Sequence, residues 1–412
     1  MLSVPSGCGV AMRYVDQMDI RGKKVLLRVD LNVPMDDDQR ITDDWRIRAA
    51  LPTILYAIEQ GSKVIVISHL DRPGGKIVPE LSLAPVAVRL SQLLQKEVTF
   101  LNDIAGARDR KAVDRAPPGS VVMLENLRFN PGEESDSDDL ARALADLADA
   151  YVDDAFANAH RTHASNVGVT RFLTDSGGGL LMRKELEALG RAMGSPERPR
   201  VAVVGGVKVE SKIGVLVNLA KNVDGMLIGG AMASPFLKAR GLDMGDSVVP
   251  EGSVQKASDL LTRAERQGVR IVLPTDLVVA GEKSDRAEGE VVPVNGVIKG
   301  KMALDIGPRT IRSFTDELGG AATIIWNGPL GAFEIEAFSE GTRAVGEAIA
   351  RSPAYSLVGG GDTVLALNRY GLMDRISYVS TGGGAFLVAL AGRELPAVQA
   401  LDRAGLRTLT SA

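Results

Sequence analysis

The chain is 412 residues long, too long for one comfortable hydrophobic core, and two domains are the first expectation because domains run ~100–200 residues. Apolar residues make up 45% and charged residues 24%, with a net charge of −4, so there is no basic surplus of the kind a nucleic-acid partner requires. The single cysteine, Cys8, excludes an internal disulfide, and no run of ~18 apolar residues offers a membrane span.

In chain order, the opening stretch MLSVPSGCGVAM has neither a basic n-region nor a long apolar segment. It predicts no secretory leader, a cytoplasmic location, and initiation at Met12 rather than Met1. The runs KVLLRVD (24–30), KVIVISHL (63–70), SVVMLENLRF (120–129) and AYVDDAF (150–156) are apolar without alternation, the pattern of strands buried on both faces. Helical apolar spacing fills LAPVAVRLSQLLQK (83–96) and DDLARALADLADA (138–150). That is βαβ grammar, which predicts an α/β fold with a parallel sheet.

SGGGLLMRKELEALGRAMGSPERP (176–199) then reads as glycines, a helix and a Gly/Pro-rich stretch, an expected interdomain helix with hinge points at its ends. Gly177 to Gly179 are candidate hinge residues or an ordinary loop. Beyond it the strand rhythm resumes with RVAVVGG (200–206), GMLIGG (225–230), RIVLP (270–274), ATIIWNG (322–328), YSLVGGG (355–361) and ISYVSTGGG (376–384). The prediction is two doubly wound, Rossmann-like parallel-sheet domains.

The two halves end their strands differently. First-half strands run into Asp30 and Asn32, His69 and Arg72, Glu125 and Arg128, and His160 and Arg161, whereas second-half strands run into glycines. Ligands of open α/β sheets sit outside the carboxyl ends of the strands. The first half therefore predicts a site for a small, strongly anionic molecule, and the second predicts bare backbone against phosphates. Arg28, Arg46, Arg72, Arg128 and Arg161 cluster at these tips; guanidinium forks suit phosphate and carboxylate, while Arg28, inside an apolar strand, also reads as a structural ion-pair partner.

AHRTHAS (159–165) holds two of the three histidines. A metal pair, packed histidines and an anion contact are all open readings, and the metal reading lacks further ligands at useful spacing. VVGGVKVESK (203–212) should open a helix whose amides and lysines face an anion, yet GxxxxGK[ST] is absent and no GxGxxG with a well-placed acid follows the first strand. That argues against a nicotinamide oxidoreductase. In GGGDT (359–363), Asp362 is either a hard oxygen ligand for Mg²⁺ or a plain helix N-cap.

RVDLNVP (28–34), WRIRAALP (45–52), SHLDRPGG (68–75), LENLRF (124–129), AHRTHAS (159–165), GGVKVESKI (205–213), IWNGPLGAFE (325–334), GGGDT (359–363) and STGGGA (380–385) together resemble the phosphoglycerate kinases, in order from about residue 13 to residue 405. The resemblance implies a 3-phosphoglycerate domain over 1–181, an interdomain helix and hinge over 182–195, a Mg-ATP domain over 196–394, and a tail over 395–412 that packs back on the first domain. Hinge closure would join the two substrates, and a non-catalytic two-domain binding protein would not need the nucleotide residues.

Carried over position by position, the resemblance places 3-phosphoglycerate among Asp30, Asn32, Arg46, His69, Arg72, Arg128 and Arg161. It makes Arg161 the clamp and His160 and His163 its supports. It assigns catalysis to Arg46, Lys208, Lys212, Gly360 and Gly383. The nucleotide falls to Gly206, Lys208, Lys212, Gly229, Gly230, Asn327, Pro329, Glu334, Gly359, Gly360, Gly361, Asp362 and Thr363, and Mg²⁺ to Asp362. The sequence departs from the family at Asp71, where glycine is usual, at Ala157 and Asn158, and at Tyr378 and Val388. Asp71 puts a negative charge beside the expected anion site. A monomer is expected, with a homodimer open.

Overall fold

The computed structural model describes residues 12–194, 197–207 and 209–410. Residues 1–11, which carry Met1 and Cys8, residues 195–196, Lys208 and residues 411–412 lie outside the described residues. The chain divides into two compact units, one formed by 12–187 with 394–410 and the other by 188–393. The helix Leu180–Met193 runs across the division.

In the first unit, β1 (Lys24–Arg28), β2 (Lys63–Ile67), β3 (Val98–Leu101), β4 (Val121–Leu124), β5 (Ala150–Asp153) and β6 (Ser176–Gly178) form a parallel sheet in the order β3-β4-β2-β1-β5-β6. Both faces are covered, which is why the central strands read as unbroken apolar runs. Val25 and Leu27 pack on one side with Ile47, Ala50, Ile54 and Ala57, the inward stripe of the helix Trp45–Glu59. Leu26 faces the other side, joining Ile65, Val122, Tyr151 and Leu144 of the helix Asp138–Ala145. Alternate residues thus serve two cores.

The helix Pro396–Thr410 belongs to this unit: Ala397 N–H donates to Ala159 O at 3.1 Å, and Asp402 accepts from Met12 N–H at 3.1 Å. Two of the strands, β3 and β6, have no counterpart among the runs expected from the sequence. Gly177 to Gly179, expected as hinge or loop, lie in or next to β6 and are buried, and a Cβ on Gly177 would lie 2.5 Å from Arg13 O, so these glycines permit close packing.

The second unit carries β7 (Arg200–Val204), β8 (Gly225–Ile228), β9 (Arg270–Val272), β10 (Asp276–Ala280), β11 (Glu290–Pro293), β12 (Met302–Ile306), β13 (Thr323–Asn327), β14 (Tyr355–Gly359) and β15 (Tyr378–Val379). Six of these form a parallel sheet, β15-β14-β13-β7-β8-β9. The remaining three form an antiparallel sheet, β11-β10-β12, which the sequence does not announce. In the parallel sheet the chain runs outward from β7 on one side and from β13 on the other, so the crevice between these neighbours is the switch point where α/β sheets bind ligands. Among the described residues no helix is long and apolar enough to cross a membrane.

Candidate functional site

The first unit gathers its predicted residues at the carboxyl ends of β1, β2, β4 and β5. Asp30 lies just beyond β1 and is buried; its Oδ1 accepts the Asn32 N–H at 3.0 Å and its Oδ2 pairs with the Arg46 guanidinium. Arg46 stands in the first turn of the helix Trp45–Glu59, so the crossover following β1 returns a cation to the same end of the sheet. Burial lowers the Arg46 pKa, and the attraction of Glu185 partly offsets this. Asn32 Oδ1 accepts from the Asp71 N–H at 2.9 Å, and the Asp71 carbonyl accepts from Arg128 Nη1 at 2.7 Å. One loop residue therefore links a side chain after β1 to one after β4.

Burial, then repulsion from Arg28 and Arg161, lowers the Arg128 pKa, with Glu134 and Glu133 opposing. Arg72 and Arg161 are exposed, and no described hydrogen bond ties their side chains to this group. The guanidiniums nevertheless concentrate positive charge: His69 is held well below its ordinary 6.5 by burial first, then by Arg28, Arg128 and Arg46. His160, half-buried beside Arg161, is pushed down to about 4 by desolvation and that charge. Both rings are neutral at pH 7, so the cationic character of the cradle comes from arginine. Arg28 Nη2 lies 3.2 Å from His69 Nδ1. Arginine can only donate, so Nδ1 accepts and the ring proton sits on Nε2.

Arg28 itself, 1% exposed, donates to Ser165 Oγ at 3.0 Å and to the Val29 carbonyl rather than forming the ion pair its sequence position suggests. Ser165 Oγ in turn donates to Glu133 Oε1 at 2.7 Å, and His163 Nδ1 faces the same oxygen at 3.5 Å. Glu133 is fully buried, yet His163, Arg28 and Ser165 together outweigh desolvation and lower its pKa. This buried row from His163 to His69 backs the cradle. Sequence reasoning misses Glu133 and Ser165; Ser165 sits inside the histidine motif, whereas nothing in NPGEES (130–135) marks Glu133.

At the switch point of the second unit, Gly205 N–H donates to Asn327 O at 3.0 Å and Gly206 N–H to Pro329 O at 2.7 Å, closing the loops after β7 and β13 on each other. Lys212, in the helix Val209–Leu219, is buried and donates from Nζ to Gly205 O at 2.8 Å. Gly328 has φ +97°, and a Cβ there would overlap Gly205 O and lie 2.5 Å from Lys212 Nζ. Several of the predicted glycines are also places where protein packs against bare backbone. Gly205 abuts Pro329, Gly229 abuts Leu330, and Gly359 abuts Phe386. Gly361, and Gly383 ahead of the helix Gly384–Leu390, face open space. Gly230 combines a turn at φ +59° with close packing against Pro329 O.

Gly360 is the N-cap of the helix Gly361–Arg369, so Asp362 is not the cap but an exposed first-turn residue. Buried Thr363 accepts from Gly328 N–H at 2.8 Å, and Asn327 Nδ2 donates to Gly359 O at 2.7 Å. Glu334 forms an ion pair with Lys283, and its carbonyl accepts from Arg369 Nη1 at 3.0 Å at the end of the helix Gly361–Arg369. Among the described residues no group of three or more His, Cys, Asp or Glu could hold a metal. The donors present, one exposed carboxylate at Asp362 and the buried, unpartnered Asn327 Oδ1, fit a hydrated Mg²⁺ carried mainly by phosphates rather than a protein cage.

Comparison with known proteins agrees with this arrangement. A family model described as phosphoglycerate kinase matches residues 15–393. The phosphoglycerate kinase of Desulfosudis oleivorans is 50% identical over 392 residues, covering 95% of this chain and 99% of that one. That of Roseiflexus castenholzii is 50% identical over 397 residues, covering 96% and 100%. Among solved structures, phosphoglycerate kinase from Coxiella burnetii aligns with a TM-score of 0.85 at 44% identity over 95% of this chain and 99% of that chain. The Pyrococcus horikoshii enzyme aligns at 0.81 and 35% identity, covering 96% and 100%. With an arginine-lined cradle at one sheet and a glycine-lined switch point at the other, both matched along their length, the chain belongs to the phosphoglycerate kinase family.

Proposed function

We propose that the chain performs the glycolytic step of its family, the reversible transfer of a phosphoryl group between ATP and the carboxylate of 3-phosphoglycerate, giving ADP and 1,3-bisphosphoglycerate. The observation that carries this reading is the full-length match to phosphoglycerate kinases. The cradle supports it chemically. A carboxylate acceptor, with a reference pKa near ~4, is already ionised at neutral pH and needs no general base. Neutral His69 and His160 are consistent with that, since neither is required to take a proton.

The burden on the protein is then positioning and charge neutralisation. Asp30, Asn32, Arg46, His69, Arg72, Arg128 and Arg161 hold the phosphorylated acid, with Arg46 nearest the transferring group. Lys208 and Lys212, the turns at Gly206, Gly229, Gly230 and Gly359 to Gly361, and Gly383, Asn327, Pro329, Glu334 and Thr363 hold the nucleotide. Asp362 would hold Mg²⁺, which when bound neutralises phosphate charge. Cytoplasmic location and a monomeric state complete the proposal, and light scattering of the purified protein tests the latter.

The direct test feeds the protein 3-phosphoglycerate, ATP and Mg²⁺ and follows NADH loss through added glyceraldehyde-3-phosphate dehydrogenase. Activity that needs all three additions supports the reading. A folded protein that binds ATP by calorimetry but turns over nothing refutes it.

A further inference from the structure

Asp71 is one of the non-glycine residues with left-handed backbone, at φ +49°. L-residues other than Asn and Asp visit this region at a cost, because Cβ crowds the carbonyl. The conformation has a purpose: it turns the Asp71 N–H toward Asn32 Oδ1, at 2.9 Å, and its carbonyl toward Arg128 Nη1, at 2.7 Å. Both partners belong to the anion cradle, and both are held by backbone groups that asparagine or glycine would supply equally. The aspartate adds one thing more, an exposed carboxylate with no hydrogen bond or ion pair among the described residues.

We propose that Asp71 sets the cradle's affinity for its phosphorylated acid, its backbone positioning Asn32 and Arg128 while its carboxylate repels the incoming anion. The inference rests on the function proposed above. The ligand carries a phosphate and a carboxylate, so a single fixed negative charge at the rim opposes all of its charges together. For a charge within about one Debye length (~10 Å) of a multiply charged ligand, screened repulsion in water corresponds to about a two- to tenfold weaker affinity. The repulsion acts on the bound ligand and the transferring state alike, so it enters KM and leaves kcat alone.

The test compares wild type with Asp71→Asn, Asp71→Gly and Asp71→Ala in the coupled assay at low and high salt, with a melting curve for each. Asp71→Asn should lower KM for 3-phosphoglycerate about two- to tenfold at low salt, leave kcat and KM for ATP within about twofold, and lose most of its advantage at high salt. Asp71→Gly should do the same. Asp71→Ala should share the KM effect but melt earlier, since alanine gains nothing from the left-handed turn. An active wild type whose Asp71→Asn variant has an equal or higher KM for 3-phosphoglycerate, or a parallel change in kcat and in KM for ATP, overturns the inference alone. A wild type without turnover overturns the functional reading and takes this inference with it.

Discussion

Replacing Arg46 with alanine should cost turnover far more than it costs folding. In the free protein the Arg46 guanidinium pairs with Asp30; the arginine side chain is 28% exposed and the aspartate 7%. Breaking a fully buried pair costs ~3–5 kcal/mol, and the partial exposure of Arg46, together with the Asn32 amide that Asp30 keeps, reduces this to about 1–2 kcal/mol. For units of this size that is a fall in Tm of roughly 2–8 °C. A cation that meets the transferring phosphoryl group is instead worth about 10²–10⁵ in rate, or ~3–7 kcal/mol of barrier. The coupled assay gives kcat and KM, and circular dichroism follows the melt. Arg46→Ala should remain folded at 25 °C with kcat lowered at least a hundredfold. A folded variant whose kcat/KM stays within tenfold of wild type would refute the assignment, since Arg46 would then be no more than the counter-ion of Asp30.

Gly328→Ala should lower stability by about 2–5 kcal/mol, combining positive-φ strain with overlap against Gly205 O and Lys212 Nζ. Gly61→Ala, at φ +70° with open space around it, should lose only ~1–2 kcal/mol, and equal Tm losses would contradict the clash. The lowered pKa of Glu133 makes its contribution to stability complete above its ordinary 4.5 and lost as pH falls through the still lower folded value. The Tm gap between wild type and Glu133→Gln should therefore be widest at neutral pH and close under acid; a gap that is constant from pH 7 to pH 3 would count against the buried row. Asp362→Asn should raise the Mg²⁺ concentration for half-maximal activity about tenfold with Tm unchanged, because its exposed carboxylate supports nothing else. An unaltered Mg²⁺ titration would remove Asp362 from the metal's surroundings.

The parallel sheets are legible in the sequence because β2, β7 and β13 are buried on both faces and so spell KVIVI, RVAVV and TIIWN in unbroken apolar runs. β11, with three of its four residues exposed, offers no such run. β6 is the three residues Ser176, Gly177 and Gly178, whose strand character comes from β5 and from Tyr14 rather than from propensity. Asp30, His69 and Arg128 stand just past the ends of their strands, where an α/β sheet exposes its ligand-facing residues, and so can be found from the strands alone. Glu133 cannot, since its meaning depends on Ser165, 32 positions away and joined only by the fold. The glycine turns are turns, as their sequence suggests, but fewer of them lie open to a ligand than expected, because a sequence does not distinguish backbone crowded by protein from backbone left open.

The pairing of Met12 with Asp402 and of Ala397 with Ala159 has a consequence for biosynthesis. The unit that holds residues 12–187 also holds 394–410, so the helix Pro396–Thr410 leaves the ribosome roughly 220 residues after residue 187, a lag on the order of ten seconds or more at ~5–20 residues/s. The contiguous unit, 188–393, can close in the meantime. A nascent chain stalled before residue 394 therefore carries a finished glycine-lined unit and a still unsealed arginine-lined one, a natural substrate for chaperones.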